Sequence, residues 1–221
     1  MYIPKWYRED SLPVLFEAIE KIGYGTLVTL SNSHQLVASH IPMLIDGSSG
    51  EKGTIFGHIA RGNSQWRDFD KDTEALAMFV GPQAYISPLW YETTKRTGEV
   101  VPTWDYIAVH VYGRVSFFED SSRLLDLVTR LTNHHEAEFS KPWRVSDAPK
   151  KYIDSELKSI VGFEMPISKI EGKWKMSQNR PLDDREGAIR GLRESSSESA
   201  SEVADEIEKK LGRSGQVSKR D

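Results

Sequence analysis

Residues 54–91 read TIFGHIARGNSQWRDFDKDTEALAMFVGPQAYISPLWY. The apolar run at 54–58 predicts a strand. A polar turn follows, carrying Arg61, Asn63, Ser64 and Gln65, and then a short helical start that closes on Trp66 and Phe69. The second apolar run, 75–80, predicts another strand. A helix beginning straight after a strand leaves backbone N–H groups unpaired, and these attract phosphate. Arg61 adds a charged fork that matches phosphate oxygens. Trp66, Tyr85, Trp90 and Tyr91 offer aromatic surface to a flat ring system. The stretch therefore points to a phosphorylated, ring-bearing cofactor. The competing reading, core aromatics and a solvated arginine, stays open, because no spacing here has the specificity of a Walker loop.

Upstream, Leu12, Leu15, Phe16, Ile19 and Ile22 have the spacing of one helix face. Asp10 or Ser11 is its cap, Pro13 sits in its first turn, and Gly23 or Gly25 ends it. Residues 26–30 and 36–45 predict two strands joined by a hairpin turn at 31–34. Pro42 suggests an edge position or a bulge in the second. Downstream, 92–101 reads as an exposed loop, 107–118 as a long strand, and Ser121 or Ser122 as the cap of an amphipathic helix bearing Leu124, Leu125, Val128 and Leu131. Pro149 opens a short helix, and 160–170 reads as one more strand. A cationic segment follows at 173–180, KWKMSQNR. About six strands with short turns and outer helices predict a mainly β fold with peripheral helices, arranged as a small closed or split barrel. The expected organisation is a domain over 1–182, a helix over 183–194 and a mobile, acidic, serine-rich tail over 195–221. A short helix over 201–211 in that tail would align Val203, Ile207 and Leu211, with Gly212 as terminator.

Composition narrows the chemistry. The chain has 221 residues, enough for one domain with a substantial core. With no cysteine, disulfides, thiolate metal sites and cysteine nucleophiles are excluded. A net charge of −4 leaves no global basic field for nucleic acid. The first ten residues lack the apolar segment of a signal peptide, and no apolar run reaches membrane-spanning length. A soluble, cytoplasmic protein with no membrane partner is expected. His40, His58 and His110 lie in separate strands without the close spacing of zinc ligands, so no metal is expected. No Gly-x-Ser-x-Gly elbow is present. The segment 173–180 reads either as solvated surface or as a second phosphate- or carbonyl-binding element.

Four motifs in order carry a family resemblance: HIARGNSQW at 58–66, GPQAYISPLWY at 81–91, VPTWDY at 101–106 and KWKMSQNR at 173–180. Together they resemble the PaiB-type family of FMN-binding negative transcriptional regulators, over roughly residues 1–192. The resemblance implies an FMN-binding split β-barrel, similar to the pyridoxamine-phosphate oxidases, in which two protomers of a homodimer form the flavin sites. It implies phosphate contacts from Arg61 and Asn63, with His58 near the ribityl chain and Trp66 beside them. The Ser-Arg-Lys run of the oxidases is missing from that motif. Thr103, Trp104, Lys175, Ser177 and Gln178 match the family's remaining motifs and join the expected cofactor-binding set. The implied function is that of an FMN flavoprotein, a flavin-dependent oxidoreductase or a flavin sensor for a small-molecule ligand. The alternatives are a DNA-associated transcriptional regulator without enzymatic activity, and a haem-binding or haem-degrading split barrel.

Overall fold

The computed structural model describes residues 1–217. In chain order its strands and helices are β1 (Arg8–Glu9), α1 (Leu12–Ile22), β2 (Tyr24–Leu30), β3 (Leu36–Asp46), β4 (Thr54–Ala60), β5 (Ala75–Ile86), α2 (Glu92–Arg96), β6 (Thr103–Gly113), β7 (Ser116–Phe118), α3 (Ser121–Glu136), α4 (Lys150–Glu156), β8 (Ile160–Pro166), β9 (Lys169–Lys175), α5 (Leu182–Arg193) and α6 (Glu198–Val217). The chain divides into two units. One contains residues 1–11, 80–109 and 171 onward; the other contains 12–79 and 110–170.

In the second unit the strand order is β5-β2-β3-β4-β8-β7. All the registered pairs are antiparallel, with Thr26 opposite Met78, Leu27 opposite Ser39, Leu44 opposite Phe56, and His58 opposite Gly162. Residues 36–42 of β3 pair with β2, and residues 43–46 pair with β4, so Pro42 closes the stretch that has a registered partner on one side only. Its missing N–H therefore fits the edge-like half of the strand. Alternation along β2, β4 and β5 turns Leu27, Ile55, Ile59, Ala77 and Phe79 inward, and α1 adds Leu15 and Ile19, all at most 2% exposed. Gly23 ends α1 in the left-handed region (φ +62°), with its N–H donating to the Ile19 carbonyl at 2.8 Å. Asp120, one residue before the sequence-based choice, caps α3 by accepting from the backbone N–H groups of Ser122 and Arg123.

In the first unit the order is β1-β9-β6-β5. Its core holds Ile86, Tyr91, Ile107, Val109, Trp174 and Met176, joined by Ala188 and Leu192 of α5. The outermost strands, β1 and β7, each have one neighbour, so the ladders are open.

Several sequence expectations differ from what is seen. The run 107–118 is two strands that break after Gly113, whose backbone lies against Pro166; a Cβ there would stand 2.2 Å from the Pro166 carbonyl oxygen. The run 160–170 is likewise two strands, β8 and β9, and β9 takes in the start of the cationic segment. Residues 92–96 form the short helix α2 rather than a loop. In the segment expected to be a mobile tail, α6 runs on past Gly212 and buries Ala200, Val203, Ala204 and Ile207. Alanines complete its apolar stripe, and polar ties hold it. Gln83 and Ser199 exchange two hydrogen bonds of 2.9 and 2.8 Å, Lys210 pairs with Glu9 at 2.8 Å, and Arg193 bonds Ser201 and Asp205. The last four residues of that segment, 218–221, lie outside the described residues. No helix among the described residues is long and apolar enough to cross a membrane.

Candidate functional site

The sequence-predicted residues fall into two groups, one per unit. His58, Arg61, Asn63 and Trp66 belong to the second unit, and Thr103, Trp104, Lys175, Ser177 and Gln178 to the first.

In the second unit, β4 leads into a turn and a single 3-10 turn, Ser64–Trp66. The exposed helix start expected here is capped from within. The Asn63 Oδ1 accepts from the Gln65 N–H at 2.9 Å, and its Nδ2 donates to Ser39 Oγ at 2.8 Å. Gln65 is 1% exposed and acts as the pin of the turn. Its Nε2 donates to the carbonyls of Leu27 and Val37 and to Thr29 Oγ1, at 3.1–3.2 Å, while Ser39 Oγ donates to its Oε1 at 2.6 Å. Arg61 uses all three guanidinium nitrogens inside the unit, on the Lys158 carbonyl, on Glu119 and on the Ile160 carbonyl. Trp66 donates to the Arg61 carbonyl at 3.0 Å, and Arg67 stacks over its ring at 4.3 Å. This geometry fastens 60–66 to the start of β8, and the donors expected to meet phosphate have protein partners. His58 differs. Its Nδ1 is buried without a hydrogen-bond partner, and burial holds the imidazole below its usual pKa, hence neutral near pH 7.

The first unit contains a more charged cluster. Asp105 lies at an inward position of β6 and is 0% exposed. Lys175 reaches its Oδ1 at 3.1 Å, and the Ser177 hydroxyl donates to Oδ2 at 2.6 Å. The same ammonium donates to Thr103 Oγ1 at 2.8 Å and to the Trp104 carbonyl. Ser177 adopts φ +53°, a left-handed turn that Gln178 supports by accepting from the Met176 N–H and donating to the Trp174 carbonyl. Burial pushes the Asp105 carboxyl above its usual range; Ser177 and Lys175 oppose that shift without cancelling it. Arg180 stacks over the Tyr91 ring at 4.8 Å. The Tyr91 hydroxyl is buried close to Ser177 and Arg180, and forms no hydrogen bond among the described residues. Burial raises its pKa, and does the same for Tyr7 beside Asp105. Arg185, on α5, is 6% exposed, and neither its Nε nor its Nη2 has a partner.

Asp105 and Arg185 were missed as site residues from sequence, and Tyr91 was read only as ring surface. An acid at an inward position of the TWDYIAV strand, and an arginine in line with Ala188 and Leu192 on α5, were the available signals. Near the cluster the unit also exposes ring surface. Trp104 is 53% and Tyr85 47% exposed, with their centroids 6.1 Å apart in an edge-on pair. Together with Trp90 and Gly191 they line a groove of about 480 Å³, within the size range of small-molecule sites. Aromatic faces lining a groove of this size fit a ligand with a flat ring.

Residues 1–169 match the family model described as "Putative FMN-binding domain". The chain belongs to this family. The chain is similar over nearly its whole length to Protease synthase and sporulation protein PAI 2 of Bacillus subtilis, with 35% identity over 96% of this chain and 98% of the relative. A protein of Aspergillus fumigatus is 34% identical, with 87% of this chain and 90% of that one covered. Among solved structures, the FAD and haem binding protein from Mycobacterium smegmatis has a TM-score of 0.56 at 13% identity, over 82% of this chain and 80% of that one. A flavocytochrome from Azotobacter vinelandii has a TM-score of 0.54 at 7% identity, over 78% and 72%. At such identities the likeness is one of fold. It agrees with the mainly antiparallel β+α architecture and the split-barrel class, with the open ladders described above.

Proposed function

We propose that the protein is a flavoprotein that binds FMN, with the flavin site completed in a homodimer. Membership of the FMN-binding domain family over residues 1–169 carries this reading. In it, Trp104 and Tyr85 supply ring surface to the isoalloxazine, and the Thr103–Lys175–Ser177 network around Asp105 keeps β6 and the 176–180 turn in one arrangement. When bound, FMN supplies reversible one- and two-electron chemistry; the protein's part is to bind it, orient it and set its electrostatics. Such a protein serves as a flavin-dependent oxidoreductase or a flavin sensor. A regulatory role of the kind suggested by its Bacillus subtilis relative's name follows through the small molecule it holds, since a net charge of −4 offers no general hold on DNA.

The test is an absorbance spectrum of the purified protein, followed by FMN titration read by flavin fluorescence and light scattering for mass. Bound flavin, or uptake with quenching on a particle of twice the chain mass, is the expected result. Absence of flavin absorbance together with no uptake on titration removes the reading.

Haem binding is a second reading, favoured by the partnerless Nδ1 of His58. A neutral imidazole is the form that ligates haem iron. A Soret band on haemin titration that disappears in His58→Ala supports it, and a spectrum unchanged by the substitution rejects it.

A further inference from the structure

Arg185 presents a physical problem. Nine-tenths or more of an arginine side chain is buried, yet Nε and Nη2 bond nothing. These two nitrogens form one edge of the guanidinium, with parallel N–H bonds spaced to meet two oxygens of a single oxyanion. A buried cation with idle donors is costly. The nearby carboxylates do not relieve it. Burial lowers the Arg185 pKa, and Asp105 opposes that shift through space without cancelling it, but the Asp105 oxygens are taken by Lys175 and Ser177. Asp184, the preceding residue, gives both of its oxygens to Thr93, at 2.8 Å to the backbone N–H and 2.8 Å to the hydroxyl. The cluster therefore holds three cations, Lys175, Arg180 and Arg185, against two carboxylates, Asp105 and Asp184, and the donors to Asp184 are neutral. A second buried donor, the Tyr91 hydroxyl, is also unpartnered and lies against Arg180.

We infer that the Nε–Nη2 edge of Arg185 is an oxyanion-binding site for a phosphate group, with Arg180 and the Tyr91 hydroxyl as its further donors. The forked edge, the excess positive charge and the second idle hydroxyl all call for a ligand that has several acceptor oxygens and a charge of −1 or −2. Its two arginines lie beyond residues 1–169, outside the part of the chain matched by the family model, while Tyr91 lies within it. It does not depend on the flavin reading: inorganic phosphate and the phosphate of FMN present the same chemistry.

The experiment compares full-length wild type, Arg185→Met, Arg185→Lys and Tyr91→Phe. Each is titrated with inorganic phosphate against chloride at constant ionic strength by thermal shift, and with FMN and riboflavin by fluorescence. Wild type is expected to gain stability with phosphate. Arg185→Met should lose that gain while melting no lower than wild type without phosphate, because it removes an unpaired buried charge. Arg185→Lys keeps the charge but not the fork, and should bind phosphate at least about tenfold more weakly. Tyr91→Phe, which breaks no existing hydrogen bond, should weaken it several-fold and covers the case in which the Arg185 variants do not fold. If Arg185→Met weakens FMN but not riboflavin, the phosphate is the flavin's own. If the phosphate effect is lost while FMN binding is unchanged or absent in all proteins, the site serves a free phosphate and stands without the flavin. No phosphate-dependent shift in wild type, the result if ordered water satisfies these donors, overturns the inference. So does a shift that survives in every variant that folds.

Discussion

Asn63 separates two accounts of the turn after β4. As a phosphate ligand, its loss would cost cofactor affinity. As a cap, its loss costs stability. The geometry assigns both ends of its amide to the protein, Oδ1 to the Gln65 N–H at 2.9 Å and Nδ2 to Ser39 Oγ at 2.8 Å. Removing the cap costs about 1 kcal/mol. Removing the second, part-buried bond costs about 1 kcal/mol more. Asn63→Ala is therefore expected to lose about 2 kcal/mol, which for a chain of this size lowers the melting temperature by roughly 4–8 °C. Asn63→Asp keeps an acceptor for the Gln65 N–H and forfeits only the donor to Ser39, so about half that loss is expected. Urea denaturation of the three proteins, paired with FMN titration of each, reads both quantities on the same samples. Affinity for FMN should change less than about threefold, against the roughly tenfold or greater loss expected for a charge-assisted phosphate bond. A variant that melts with wild type but binds FMN tenfold more weakly would refute the capping account.

Three further outcomes follow from the same geometry. A Cβ at Gly191 would stand 2.2 Å from the Trp90 ring, so Gly191→Ala should lose about 1–3 kcal/mol in urea midpoint analysis, despite the higher helix propensity of alanine; a stabilised variant would show that α5 does not rest on that indole as described. Burial raises the Asp105 pKa in the folded chain, so this group's contribution to stability is fully present below its usual value of 3.8 and is lost as pH rises through the folded value. Asp105→Asn should therefore be at least as stable as wild type at pH 7, with the difference shrinking in acid; a large loss at pH 7 that does not shrink would assign the net effect to the Lys175 pair instead. For His58 the sign reverses. Its lowered folded pKa gives a contribution present above 6.5 and lost as pH falls through the folded value, so His58→Phe should have a flatter acid limb than wild type in stability measured from pH 7 downward.

Where a strand or helix shows one face to the core and one to water, its period was readable from sequence, as in α1, α3 and β4. The failures occur where that contrast is blurred. Residues 107–118 keep their β-forming character through Gly113, and only the approach of Pro166 shows why a strand must end there. The start of 173–180 looks like surface because it is cationic, yet Lys173 is 8% exposed, with its ammonium 5.0 Å from the centre of the Tyr106 ring. A long aliphatic stem with an aromatic partner lets a lysine occupy a half-buried strand. In α6 half of the buried stripe is alanine, which contributes little to any hydropathy reading but allows close helix packing, and the serines around it serve as bonding partners for Gln83 and Arg193.

The site was legible as an inventory of donors and illegible as a set of partnerships. An Arg–Gly–Asn–Ser–Gln turn after a strand is rich in groups able to hold phosphate, and sequence alone cannot say whether the protein has already claimed them. Here β3, β8 and the residues before β8 supply the acceptors, from Ser39, Lys158 and Ile160, all distant along the chain. The reverse holds for Arg185. Nothing in DDREGAIRGL distinguishes it from Arg190, which is exposed on the same helix, until burial and the prior commitments of Asp105 and Asp184 are known. Binding capacity is set by the difference between the donors a segment carries and the acceptors the fold delivers to them. By that difference the Arg61 and Asn63 donors are already engaged within the protein, and the buried guanidinium on α5 is where an anion has most to offer.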